Sequence, residues 1–263
     1  MSGQPFETTL LRYESVDSTS DEARRLLLGD ADAPPLPFVV WADRQTRGRG
    51  RSQRSWWSDD GSLTFTLVLD PGTYGLRPDH EPRLALIAGL AILDMLDKLG
   101  VSAPGIGIRW PNDVEIGNRK LAGLLPEVIV TDQGRRILIG IGLNVTTRFE
   151  EAPPEIARMA VSLTSLGLDL AAAGGSRKVL DLILDQLAKL IRLLAADDPD
   201  LVDCWNRHDL LRGRRIRIDL GARIIAGTGE GIGPDGALRL KPDDGGPILD
   251  VVGGQVLRDR PST

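Results

Sequence analysis

Residues 106–145 read IGIRWPNDVEIGNRKLAGLLPEVIVTDQGRRILIGIGLNV. Three short apolar runs stand in this stretch, Ile106 to Trp110, Leu124 to Val130 and Ile137 to Val145, and runs of this kind predict central strands of a sheet. Trp110-Pro111-Asn112-Asp113 ends the first run with a turn, and Lys120 follows Asp113 by seven residues. That spacing suits a hairpin return that lets the lysine and the aspartate face one cavity. A plain Asx turn with a surface lysine would also satisfy it. The last run carries Gly140, Gly142 and Asn144. Glycine weakens a strand unless something needs the space, and an asparagine among apolar residues must find partners. Close approach of a ligand or of another backbone accounts for these residues, as does a bulge with Asn144 opening a turn.

Upstream, Phe38 to Ala42 predicts a strand, and Leu63, Phe65, Leu67 and Leu69 recur at period two, which predicts a half-buried strand. Arg83 to Leu99 and Lys178 to Leu194 carry apolar side chains at helical spacing. Thr19 followed by Glu22 makes a capping box for a short helix near Ser20. Helices mixed with strands give an α/β or α+β unit. After Leu211 the texture changes to short strands at Arg214 to Ile218, Arg223 to Gly227, Ala237 to Lys241 and Ile248 to Val252, with Pro234-Asp235-Gly236 as a turn. The expected division is therefore 1–211 and 212–263, the second part a small β-barrel that needs docking to be sturdy. Ala171 to Gly175 is a candidate flexible connector.

The 263 residues carry 32 Lys plus Arg and 37 Asp plus Glu, a formal charge of -5, with 41% hydrophobic and 26% charged residues. This is globular composition. One cysteine, Cys204, excludes an intramolecular disulfide framework, and His80 and His208 stand too far apart for zinc spacing. Charges interrupt every long apolar stretch and the N-terminus lacks a secretory pattern, so a cytoplasmic protein with no membrane partner is expected. The acidic total argues against bulk affinity for DNA or RNA.

Gln45-Thr46-Arg47-Gly48-Arg49-Gly50-Arg51 is followed by Arg54 and Trp56-Trp57. Its glycines allow close approach and positive φ, and its guanidinium groups suit phosphate or carboxylate. Such a loop could close as a lid over an anionic ligand with a tryptophan stacked on a base; a solvated Arg-Gly loop is the alternative. Asp17-Ser18-Thr19-Ser20 reads first as a helix cap, with one hydroxyl free to point into a site.

Taken in order, Asp17-Ser18-Thr19, Gly48-Arg49-Gly50-Arg51 with Trp56, Arg109-Trp110-Pro111-Asn112-Asp113 with Lys120-Leu121-Ala122-Gly123, and Gly140-Ile141-Gly142-Leu143-Asn144 resemble the biotin protein ligase family. Ser162-Leu163, in a helix-like region, and the β tail also resemble it. The resemblance implies an α+β catalytic domain related to class II aminoacyl-tRNA synthetases, followed by an SH3-like barrel. It implies a ligase that joins biotin to ATP, with Mg²⁺, as biotinyl-5′-AMP and then modifies a lysine of a biotin carboxyl carrier protein, as a monomer or homodimer. By similarity, Ser18, Thr19, Gln45, Gly48, Arg49, Arg51, Lys120 and Gly123 would bind biotin. Arg51, Trp56, Asn112 and Asn144 would bind the nucleotide, Asn144 near its Mg²⁺, with no metal cluster supplied by the protein. Lys120, Arg49 and Asp113 would serve catalysis. Three positions depart from the pattern: Ser52 and Gln53 replace basic and glycine residues, and Ser20 replaces asparagine. The short stretch before Asp17 leaves no room for a DNA-binding module in this chain. The alternatives are a lipoate or acyl-carrier ligase of the same fold and an Arg-Gly nucleic-acid-binding module.

Overall fold

The computed structural model describes residues 6–29 and 33–258, and the side chain of Gln53 lies outside that set. Through it run β1 (Thr9–Val16), α1 (Thr19–Leu28), β2 (Phe38–Gln45), β3 (Ser62–Leu69), α2 (Leu84–Lys98), β4 (Ile106–Arg109), β5 (Asp113–Ile116), β6 (Arg119–Thr131) and β7 (Gly134–Asn144). There follow α3 (Pro154–Met159), α4 (Gly175–Ala195), α5 (Asp200–Arg207) and a tail of β8 (Arg215–Asp219), β9 (Ile224–Ile232), β10 (Leu238–Pro242), β11 (Leu249–Val251) and β12 (Gln255–Val256).

The first sheet has the order β1-β2-β3-β7-β6-β5-β4, with β1 and β2 parallel and all other neighbours antiparallel. Its centre is β3, which is buried at all eight positions rather than on one face. The period-two residues Leu63, Phe65, Leu67 and Leu69 do share one apolar core with α2 and α4. The other face is covered as well, because α1 lies across it: Val68 packs with Ala23, and Thr66 bonds Thr19. Two threonines on that face mask it as solvent-facing in the sequence.

The β5–β6 hairpin turns on Gly117 and Asn118, whose φ angles of 57° and 65° make the two-residue turn that matches strand twist. The cap of α1 is Ser18, which accepts from the Asp21 amide, so Thr19 is helical and its hydroxyl is released for other bonds. Ser162 and Leu163 are not helical; they lie between α3 and a short 3-10 turn at Thr164–Leu166. There the chain is tied to the sheet by the Leu163 amide donating to the Asn144 carbonyl at 3.0 Å.

The second sheet has the order β11-β10-β9-β8-β12, all antiparallel. It does not stand alone: Ile216, Ile218, Leu238, Leu240 and Val251 belong to the same apolar core as the first sheet. Polar links reinforce the junction. The Trp110 indole N–H donates to the Gly236 carbonyl at 3.0 Å, and the Arg109 guanidinium donates to the Leu257 carbonyl at 3.2 Å. Among the described residues no helix is long and apolar enough to cross a membrane.

Candidate active site

A cavity of about 130 Å³ opens where α1, the loop after β2 and strands β5, β6 and β7 converge. One wall is a chain of hydroxyl and amide groups. The Thr19 amide and hydroxyl both donate to Gln45 Oε1, at 2.8 and 3.2 Å, and the Thr66 hydroxyl donates to Thr19 Oγ1 at 2.9 Å. Ser20 joins through Thr66 at 3.1 Å. Ser18, Thr19 and Ser20 are all buried, so these groups are fixed by one another rather than by water. With Gln45 Oε1 engaged as acceptor, the donor capacity of its amide NH₂ remains for another partner.

The floor is made of glycine. A Cβ added at Gly142 would stand 2.5 to 2.8 Å from the Trp56 indole, and one at Gly140 would stand 2.9 Å from Ser20 Oγ. At Gly123 it would meet Lys120 Nζ and Trp56, each at 3.0 Å. Contacts this close leave no room for a Cβ, so Gly123 and Gly142 make space for an aromatic ring and a lysine that lie against the strands, and Gly140 makes space for the Ser20 hydroxyl. The two glycines of the loop work the same way. Gly48 faces the Trp56 carbonyl, where a Cβ would be 2.5 Å away, and Gly50 is extended at φ −130°. The expected positive φ falls instead on Ser52, at 53°.

Lys120 projects from β6 onto this floor. Its backbone carbonyl accepts from the Val161 amide at 3.0 Å and from Asn144 Nδ2 at 3.2 Å, which pins the strand on either side of the lysine. Its Nζ lies 2.7 Å from Asp113 Oδ1 and 5.4 Å from the Trp56 ring centroid. The hairpin return thus brings Asp113 and Lys120 into one ion pair. Asn112 is spent partly on structure, its Nδ2 donating to the Leu124 carbonyl at 2.8 Å, yet it still lines the cavity.

Over the cavity lies the Arg-Gly loop. Arg49 reaches Asp21 at 2.9 Å and Glu127 at 2.8 Å, and Arg24 also bonds Glu127 at 2.9 Å. Arg47 lies 3.5 Å from Asp17, which Arg25 holds well below the usual carboxylate range. Arg51 points inward; burial pulls its guanidinium below the usual value while Asp113 opposes that shift.

Of the residues singled out in the sequence, Ser18, Thr19, Gln45, Arg49, Arg51, Trp56, Asn112, Asp113, Lys120 and Gly123 line this one cavity. Gly48 does not; it faces the outer side of the loop. Asn144 lines a second cavity of about 230 Å³ that shares Arg54, Ser55, Trp56, Asp113 and Lys120 with the first. Its apolar walls are Trp57, Phe149, Ile156 and Met159, and Arg258 closes one end. Sequence reasoning missed Phe149, Ile156, Met159 and Arg258, and Thr66 as well. Trp57 was legible from its place beside the Arg-Gly loop, as a tryptophan that could stack on a base. Among the described residues no group of three His, Cys, Asp or Glu side chains could hold a metal ion.

Residues 14–144 match the model of the biotin/lipoate A/B protein ligase family. The chain is 34% identical to the biotin–[acetyl-CoA-carboxylase] ligase of Mycobacterium tuberculosis, over 84% of this chain and 79% of that protein. It is 31% identical to the enzyme of the same name from Paracoccus denitrificans, over 89% and 94%. Among solved structures, the biotin protein ligase of Aquifex aeolicus in complex with biotin and ATP superposes with a TM-score of 0.76 at 26% identity, covering 96% of this chain and 98% of that one.

Proposed function

Because the chain belongs to the biotin protein ligase family, we propose that it is an ATP-dependent ligase that activates biotin as biotinyl-5′-AMP and passes the biotinyl group to a lysine of a biotin carboxyl carrier protein. The observation that carries this reading is the seat of Lys120 where two cavities meet, one lined by hydroxyl and amide groups and one by aromatic and apolar side chains. The first suits a polar ureido head, with Ser18, Thr19 and Gln45 as its partners. The second suits a nucleobase between Trp57, Phe149 and Met159. The relatives named for biotin favour this over a lipoate or other acyl-carrier ligase. The Arg-Gly loop packed on a cavity, in a chain of charge -5, disfavours a nucleic-acid-binding module.

Adenylation joins two anions, a carboxylate and a triphosphate. A biotin carboxylate oxygen attacks the α-phosphorus, the bond from that phosphorus to the bridging oxygen breaks, and pyrophosphate leaves with the electron pair. Lys120 and Arg51 supply fixed positive charge where negative charge gathers, which is the larger part of catalysis in such chemistry. In the second step the carrier amine attacks the acyl carbon and AMP departs. Asp113 is the carboxylate nearest Lys120 and is placed to orient it or to take the proton of the incoming ammonium. The loop bearing Arg49 would shield the mixed anhydride from water.

Mg²⁺ enters this reading with ATP. The oxygen donors lining that cavity include the Asp113 and Glu155 carboxylates and Asn144 Oδ1, too few for an octahedral ion, so phosphate oxygens and water would complete it. Its part is to neutralise phosphate charge. The division at 211/212 and a reducing cytoplasmic setting, in keeping with a lone cysteine, belong to the same reading. So does a monomer or homodimer. Exchange of labelled pyrophosphate into ATP tests the first step: it is expected only when biotin is present, and exchange indifferent to biotin would sink the assignment.

A further inference from the structure

Six arginines, Arg109, Arg119, Arg158, Arg214, Arg215 and Arg258, line a groove of about 390 Å³ between the β5–β6 turn and the second sheet. Among the described residues, Glu115 and Asp243 pair with three of them. Buried Glu115 accepts from Arg258 and stands 3.9 Å from Arg109, and Asp243 stands 2.7 Å from Arg215. Arg119 and Arg158 are exposed and make no ion pair among the described residues. Arg214 donates to the Asn118 side-chain oxygen at 3.3 Å, a neutral partner. Burial pulls the Arg109 guanidinium below its usual value; Glu115 and Asp113 oppose this while Arg258 and Arg214 add to it. Among the described residues Arg119, Arg158 and Arg214 thus have no carboxylate partner, in a chain whose net charge is -5.

The groove is also connected. Arg258 and Met159 line both it and the cavity that holds Lys120, Asp113 and Asn144. A concave pocket of forked donors suits a compact polyanion better than a flat protein surface does, since guanidinium groups grip phosphate oxygens in pairs. We propose that this groove is a pyrophosphate site, which receives the leaving group of adenylation as it moves away from Lys120. The inference rests on the proposed function for the identity of its ligand. Arg158 and Arg214, which stand on α3 and just ahead of β8, are its outer donors.

Titration of sodium pyrophosphate into the protein by calorimetry, without biotin or ATP, tests this directly. The Arg158→Ala/Arg214→Ala variant is expected to bind pyrophosphate about tenfold more weakly at fixed ionic strength. An Arg177→Ala/Arg223→Ala variant, which removes the same charge elsewhere, is expected to match the wild type. Replacement of both groove residues by lysine should restore part of the affinity, because charge returns without the fork. Equal pyrophosphate affinity in the groove variant and the control would overturn the proposal, as would no measurable binding to the wild type. An unchanged pyrophosphate affinity together with a raised KM for an acidic carrier protein would also overturn it, and would assign the groove to protein docking. Because the titration involves no biotin, groove-dependent binding combined with failed biotin-dependent exchange would locate the error in the activity and not in the anion site.

Discussion

The two sides of the cavity are built by different physics. The floor of β6 and β7 is set by close approach: Gly123, Gly140 and Gly142 leave room measured in tenths of an ångström, and Lys120 is pinned through its own carbonyl by Val161 and Asn144. The loop of residues 46–58 is set by charge, through Arg49 with Asp21 and Glu127 and Arg47 with Asp17, pairs that are partly open to solvent. Packing of the first kind has one arrangement. Ion pairs of the second kind exchange with water or with a ligand at little cost, typically below about 1 kcal/mol each. A site that must open to biotin and ATP and then exclude water needs both, a fixed floor and a cover whose bonds can be traded.

The largest test of this contrast is Lys120→Ala. It is expected to slow adenylate formation by about 10²- to 10³-fold with an unchanged circular dichroism spectrum; a smaller loss would move the charge that matters from the floor to the loop. Next comes Gly142→Ala, whose methyl group would stand 2.5 Å from the Trp56 indole. Biotin affinity measured at equilibrium should fall about tenfold, as befits a change that forces a ring out of place. Adding Trp56→Ala should recover much of that loss, and two additive losses would break the close-approach argument. Arg49→Ala should leave the melting temperature nearly unchanged, the pairs it removes being worth about 1 kcal/mol or less. The intermediate should nevertheless leak into solution faster, which a chase of labelled adenylate would read. Ser52→Gly is the smallest. It relieves a left-handed residue in the loop at a gain of up to about 1 kcal/mol, seen as a small rise in melting temperature; a fall would mean that the serine side chain is itself holding the loop.

The same contrast explains what could be read from the sequence. Lys120 and Asp113 were legible because a two-residue hairpin turn fixes their relation locally. Gly140 and Gly142 were legible as positions that make room, although the first occupants of that room are Ser20 and Trp56 of the same chain. The second face of β3 was not, because Thr64 and Thr66 read as solvent-facing until α1 is laid over them. The cap was legible in part: Asp17 to Ser20 reads as a cap with one hydroxyl free for a site, but the capping box of Thr19 and Glu22 pointed to the wrong residue, because Ser18 takes the cap and Thr19 turns to Gln45 and Thr66. Phe149, Met159 and Arg258 reach the second cavity only through tertiary docking, the last from beyond the end of the second sheet, and no local pattern marks them. In the loop, glycine at two positions suggested positive φ, but the backbone uses them for proximity to Trp56 and Arg54 and places the left-handed residue at Ser52.

The most direct test of the account is to incubate the purified protein with biotin and MgATP and to look by mass spectrometry for biotinyl-5′-AMP and pyrophosphate, with lipoate and octanoate in parallel. A biotin-dependent adenylate, formed far more slowly by Lys120→Ala, is the expected result. An adenylate formed from lipoate and not from biotin, or none from any of the three acids, would contradict it.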